Sequence, residues 1–227
     1  GLRVTRLIEK PPPEEIQTNL INAGIYILPD EIFDVLKEIP VSERGELELP
    51  DAIQKMIDSN EDVMTFTMRE WWLDIGRPWD LLSANQLILS KMQTKILGEV
   101  EEGATIKGPV YIGKNTIVRR GTYILGPTYI GEESDVGPNN YIRPFTTIGN
   151  KCRFGHACEI KNSIIFDNTH VAHLSYVGDS VIGENVKWKE VSKNKFFIEA
   201  DKDYFIHSPL RGKFQGENNS MVQQVWR

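Results

Sequence analysis

The chain has 227 residues, 40% hydrophobic and 26% charged, with a formal net charge of −6, which suits one or two globular domains and weighs against a nucleic acid partner. No apolar run approaches the ~18 residues of a membrane span, and the opening GLRVTRLIEKPPPEE carries no apolar signal segment, so no membrane partner and a cytoplasmic location are expected. The two cysteines, Cys152 and Cys158, are too few for a zinc site and read as reduced thiols.

Residues 1–79 read as the end of an α/β domain. Residues 3–8 form a strand candidate, stopped by Pro11-Pro12-Pro13. Residues 21–28 and 63–68 are further strand candidates, rich in Ile and Val. Between them Pro29-Asp30 opens a helix carrying Ile32, Phe33, Leu36 and Ile39 at helical spacing. A second helix runs from Leu49 to about Ile57, with Asp51 in its first turn, where a carboxylate suits the helix dipole. Residues 71–79 read as a loop. Pro78 then starts a helix expected to reach residue 97, with Leu82, Leu89, Met92 and Ile96 on one face. Residues 80–97 are assigned as a connector between domains.

From residue 98 the pattern changes. Val100, Ile106, Ile112, Val118, Ile124, Ile130, Val136, Ile142, Ile148, Phe154 and Ile160 fall on every sixth position, and Gly follows five of them, at 113, 131, 137, 149 and 155. Six fits neither an α-helix nor a flat amphipathic strand. It predicts a β-helix of hexapeptide repeats over 98–186, about five coils of three hexads each. The phase slips by one residue after Ile160 and continues as Ile165, Val171, Val177 and Ile182, so a bulge or small loop is expected near 162–167. Residues 187–227 lose the hexads and form an atypical tail. It is read as a cap over the last coil, irregular or helical, or as a non-native end from a shifted reading frame.

Four segments of 1–79 carry candidate chemistry. Glu9-Lys10-Pro11 sets an acid and a base side by side, suited to sugar hydroxyls and a phosphate or to a surface ion pair. Asn22-Ala23-Gly24-Ile25-Tyr26 follows. Arg44 stands ahead of a helix, within reach of a phosphate. Asp74 lies between aromatics and a Gly turn, as an Mg²⁺ ligand or a helix-start carboxylate. In the solenoid, His173 falls outside the Ile/Val phase and projects from the coil, where a neutral imidazole can take a proton. A structural histidine is the alternative, and His156 and His170 are its neighbours.

In this order, IEKP, NAGIY, RGELELPDAI and WWLDIGRPWDLLSANQ resemble the sugar-binding half of the sugar-1-phosphate nucleotidylyltransferases. HLSYVGD, preceded by YIRP and EIKN, resembles the acetyltransferase half of bifunctional enzymes. Those acetylate an amino-sugar 1-phosphate and join it to a nucleotide. The resemblance covers about residues 1–186. It implies an α/β nucleotidyltransferase-fold remnant followed by a left-handed parallel β-helix. By that likeness Glu9 binds sugar hydroxyls and Lys10 the sugar phosphate. Asn22 and Gly24 line the sugar pocket, Arg44 contacts phosphate, and Asp74 is an Mg²⁺ ligand. His173 is the general base, Tyr176 a substrate contact, and Arg143 and Lys161 hold the sugar phosphate. Sugar 1-phosphate, nucleoside triphosphate and acetyl-CoA are the implied small-molecule partners, with Mg²⁺ for nucleotidyl transfer. A homotrimer is the implied assembly, with Tyr111, Tyr123, Tyr129 and Tyr141 as contact surface.

Two departures qualify the likeness. The Gly-rich nucleotide loop and first metal Asp of the family are not in this sequence, and KWKE follows IGENV where the family has a Gly-rich coil and basic residues for acetyl-CoA. A fragment incomplete for both reactions is therefore expected. The rival readings are a nucleotidyltransferase whose solenoid only oligomerises, a non-catalytic sugar-phosphate-binding or assembly subunit, and a zinc enzyme using His156, His170 and His173.

Overall fold

The structure is a computed structural model. It describes residues 1–16, 18–42, 44–192, 195–199 and 206–207, with side chains described up to residue 187. The chain divides into two compact units, Gly1–Asp74 and Ile75–Arg227.

The first unit is sparsely ordered. Helix α1 spans Ile32–Leu36 and α2 spans Leu49–Asp58. Pro50 sits in the first turn of α2, where no N–H is needed, with Asp51 beside it. Ile32, Ile39, Ala52 and Met56 make the core, packed by Val35, Leu36 and Leu49. The expected strands at 3–8, 21–28 and 63–68 are largely absent. Only Leu2–Arg3 pairs with Met64–Thr65, antiparallel. A strand needs a ladder partner for its backbone and a covered face for its side chains. Residues 21–28 have no ladder partner among the described residues, and Ile21, Ile25 and Ile27 are exposed, as are Phe66, Trp71 and Trp72.

The second unit opens with α3, Pro78–Leu89. This is shorter than the expected helix to residue 97. Met92 and Ile96 continued the helical spacing, but Lys95–Ile96 pairs with Tyr111–Ile112 as a solenoid strand. Leu82, Ala84 and Leu89 are buried. Asn85 ties the helix down, its Nδ2 donating to the Phe145 carbonyl at 2.8 Å, while its Oδ1 lies 2.5 Å from Thr147 Oγ1. Gln86 Nε2 donates to Asn162 Oδ1 at 2.8 Å.

The rest is a parallel β-solenoid of about five turns with three faces. The first face stacks Glu99–Val100, Ile117–Val118, Asp135–Val136, Arg153–Phe154 and His170–Val171. The second stacks Thr105–Lys107, Tyr123–Leu125, Tyr141–Ile142, Glu159–Lys161 and Tyr176–Gly178. The third runs from Lys95–Ile96 through Val110–Ile112, Thr128–Ile130, Thr146–Ile148 and Ile164–Ile165 to Val181–Ile182. The hexad residues point inward, and those from Ile112 through Ile182 are buried, each burial favouring the fold by about 2 kcal/mol.

The corners explain the rest of the hexad. At most corners the backbone turns left-handed three residues after the inward residue, as at Asn115, Glu133, Asn139, Lys151 and Asn168. One residue later a small polar side chain turns inward. These side chains form ladders along the stack. Thr116, Ser134, Cys152 and Thr169 make one. Thr122, Asn140, Cys158 and Ser175 make another. In general each rung accepts an N–H from the next coil and donates to a carbonyl of that coil, so buried backbone stays satisfied. Both cysteines are therefore rungs. Each thiol donates to a carbonyl, and burial pushes Cys152 up to about 11.

The phase slip is a shortened corner. From Ile160 the left-handed residue is Asn162 and the rung is Ser163, one position early; Asp179 and Ser180 repeat this after Val177. The register accordingly falls from 18 to 17 residues per coil. Beyond the solenoid, Lys187–Ser192 and Lys195–Glu199 pair antiparallel, with Lys187 also aligned on His170. The described part of the tail is thus strand, not irregular or helical. A backbone that continues the last coil's ladder finds partners there at once. No described helix is long and apolar enough to cross a membrane.

Candidate functional site

The second face of the solenoid gathers most of the chemistry. Side chains alternate along its short strands, so flanking residues point outward. One outward column runs Tyr123, Tyr141, Glu159, Tyr176. In the next, Lys107 aligns with Leu125 and Lys161 with Gly178, and Arg143 lies between them, its N–H bonded to the Ile160 carbonyl.

Arg143 Nη1 lies 2.9 Å from Glu159 Oε1, and its guanidinium sits 5.7 Å from the Tyr141 ring. The hydrogen bond to Glu159 raises its pKa. One coil on, Lys161 Nζ is 3.3 Å from Asp179 Oδ2, and Asn162 Nδ2 donates to Asp179 Oδ1 at 2.7 Å. The Lys161 ammonium is raised first by Asp179, with Tyr176 adding to it. Tyr176 folds across Gly178, where an added Cβ would lie 2.5 Å from the phenol oxygen. Arg143, Lys161 and Tyr176 thus lie together on neighbouring coils. Neither Glu159 nor Asp179 stands out from the sequence alone. Their signal is a carboxylate one coil from a cation, visible only once the coil length is known.

His173 sits on the corner between the first and second faces, three residues before Tyr176. Its Nδ1 accepts the His156 backbone N–H at 3.0 Å, and the two imidazoles lie against each other, tilted by 31° with centroids 4.3 Å apart. His170 is elsewhere, on the first face, aligned with Arg153 and Lys187. Burial first, then these two cations, lowers its pKa. Among the described residues no three His, Cys, Asp or Glu converge to hold a metal.

In the first unit, Arg44 is the hub. Its Nη2 lies 2.5 Å from Glu48 Oε1, 3.8 Å from Glu46 and 3.9 Å from Glu9. Ser42 Oγ also donates to Glu48, at 3.1 Å. The Arg44 hydrogen bond holds the Glu48 carboxyl below its ordinary range, and Lys10 adds to the effect. Glu9, Lys10 and Arg44 are therefore neighbours. Asn22 forms a second group: its Nδ2 donates to Tyr26, and its Oδ1 accepts the Gly24 N–H at 3.0 Å. Gly24 is left-handed with φ 72, a conformation that favours glycine. Trp72 closes this group by donating to the Ala23 carbonyl at 3.1 Å. Asp74 is exposed.

Two cations on one face can hold a phosphate by charge-assisted hydrogen bonds. A phenol beside them can meet a sugar hydroxyl, and a corner imidazole can exchange a proton.

Comparison with known proteins matches both units. The family model described as nucleotidyl transferase matches residues 1–91, and the GMPPB C-terminal domain model matches 124–197. The chain is 54% identical over 183 residues to the bifunctional protein GlmU of Methanococcus maripaludis, covering 81% of this chain and 44% of that protein. It is 48% identical to the GlmU protein of Methanocaldococcus jannaschii, over 76% of this chain and 42% of that one. It is 45% identical to a bifunctional sugar-1-phosphate nucleotidylyltransferase/acetyltransferase of Sulfurisphaera tokodaii, over 82% and 46%. The chain thus spans less than half the length of these relatives.

Proposed function

We propose that this chain, a homologue of the bifunctional sugar-1-phosphate nucleotidylyltransferase/acetyltransferases, serves nucleotide-sugar biosynthesis. It supplies the sugar-phosphate side of two sites. The observation that carries the reading is the second-face cluster, where Arg143, Lys161 and Tyr176 stand on neighbouring coils.

In the solenoid, Arg143 and Lys161 bind the phosphate of an amino-sugar 1-phosphate. The phosphate takes up hydrogen bonds now made to Glu159 and Asp179. Tyr176 contacts the sugar. His173 accepts the proton that the sugar amine loses as it attacks the acetyl thioester of acetyl-CoA. Because the resting Nδ1 already accepts from His156, a neutral ring carries its proton on Nε2. The basic atom of that ring is Nδ1, so proton uptake there follows release of the His156 N–H, which a half-turn of the ring achieves. The open second face, with Tyr123 and Tyr141 beside Arg143, fits an assembly in which a second copy closes the site, and a homotrimer is the expected form.

In the first unit, Glu9 and Asn22 bind sugar hydroxyls and an acetamido group, Gly24 lets the sugar approach the backbone, and Lys10 and Arg44 face its phosphate. Asp74 fits Mg²⁺ as a single exposed carboxylate, since Mg²⁺ is held by one or two carboxylates plus substrate phosphates. When bound, Mg²⁺ neutralises phosphate charge during nucleotidyl transfer. The exposed Ile21, Ile25, Ile27 and Phe66 support a unit that works within a larger nucleotidyltransferase domain.

Calorimetry with glucosamine 1-phosphate tests the proposal. Saturable heat below ~1 mM ligand, lost with glucosamine lacking the phosphate, supports it. No heat at that concentration overturns it.

A further inference from the structure

We propose that His156 is the positioning residue for His173. This deepens the acetyl-transfer reading and rests on it. Three observations converge. The His156 imidazole lies against that of His173 with ring centroids 4.3 Å apart and planes tilted by 31°, which limits the swing of the ring. The His156 main-chain N–H donates to His173 Nδ1 at 3.0 Å, which selects the tautomer. Gly155 leaves the space beneath the ring to backbone, since a Cβ there would come within 2.5 Å of Nδ1 and 2.6 Å of the His173 nitrogen.

The two contacts act differently when the ring turns over. A neutral imidazole accepting at Nδ1 carries its proton on Nε2, where it cannot take another. A half-turn about the Cβ–Cγ bond exchanges Nδ1 with Cδ2 and leaves the ring plane unchanged. The ring contact with His156 therefore survives the turn, and the N–H bond does not. His156 keeps the ring in one plane in both orientations and favours the one in which the basic Nδ1 is occupied by the main-chain N–H in the substrate-free protein. Substrate then selects the orientation in which Nδ1 is free to take a proton. The shortened corner at Ser163 makes the pairing, because it brings His173 over His156 at an interval of 17 residues.

The experiment uses the full chain with ¹⁵N-labelled histidine. Two-bond ¹H–¹⁵N correlations report the tautomer of His173 directly. The wild type should show the Nε2–H pattern. His156→Ala keeps the main-chain N–H but removes the ring that holds the imidazole against it, so the bond to Nδ1 should form only part of the time and mixed tautomers should appear, whereas His156→Phe keeps a ring there and should keep the wild-type pattern. A wild-type Nδ1–H pattern, or a His156→Ala spectrum identical to wild type, overturns the proposal. If the chain acetylates glucosamine 1-phosphate, His156→Ala should lower kcat ~10-fold and leave KM within ~2-fold, with rescue by Phe. Absence of acetylation with the expected tautomer patterns counts against the acetyl-transfer reading alone.

Discussion

Lys161 is held at 3.3 Å from Asp179, a carboxylate that Asn162 fixes from its other side. Arg143 is held in the same way, at 2.9 Å from Glu159. The two cations are thus held along the face by their carboxylates, so the phosphate binding proposed for them would cost little further side-chain entropy.

Arg143→Ala and Lys161→Ala should each weaken glucosamine 1-phosphate binding ~10–100-fold, the loss of one charge-assisted hydrogen bond. Thermal unfolding should change little, because half-buried ion pairs at the surface contribute about 1 kcal/mol or less. Calorimetry and a melting curve on the same samples check both halves of the statement.

The corner ladders make opposite expectations for two buried polar residues. Asn140 is 1% exposed and joins two carbonyls and the Cys158 N–H across the coils. Asn140→Leu should destabilise the solenoid by about 3 kcal/mol. Thr146 is also buried, yet its hydroxyl makes no hydrogen bond. Thr146→Val removes an unsatisfied group at constant shape and should stabilise by about 1 kcal/mol. Denaturant titrations measure both.

Cys152 and Cys158 should resist maleimide in the native protein and react fully in guanidinium. Burial raises both thiols, Cys152 to about 11, and the thiolate is the reactive form. Mass spectrometry counts the adducts. Rapid native labelling of either would contradict their place as ladder rungs.

His170 gives the solenoid an acid sensitivity. Its folded pKa is depressed by burial and by Lys187 and Arg153, so the unfolded chain binds the proton more readily. Stability is then full above the ordinary histidine value of about 6.5 and falls as pH drops below it. His170→Gln should flatten the melting temperature between about pH 7 and pH 5 relative to wild type, since this histidine's titration falls in that window.

The solenoid was legible because its signal is local. Each hexad carries its own inward residue, and most carry a left-handed corner and a small rung, so eleven consecutive matches from Val100 to Ile160 left little else for the chain to do. The slip after Ile160 was visible, but its cause, a corner one residue short, needed the register. The same holds for Glu159 and Asp179, whose partners lie one coil away. In the first unit the signal is not local. Residues 21–28 have strand composition, but a strand exists only with a neighbour, and none of the described residues provides one. Ile96 misled the helix boundary because its spacing suits both α3 and the first coil.

Chemical-shift mapping with glucosamine 1-phosphate tests the central claim most directly. The account requires saturating changes at Arg143, Lys161 and Tyr176, with His173 shifting in step and all of them abolished by the Arg143→Ala/Lys161→Ala double variant. Changes confined to Gly1–Asp74, or none at all on the second face, would contradict it.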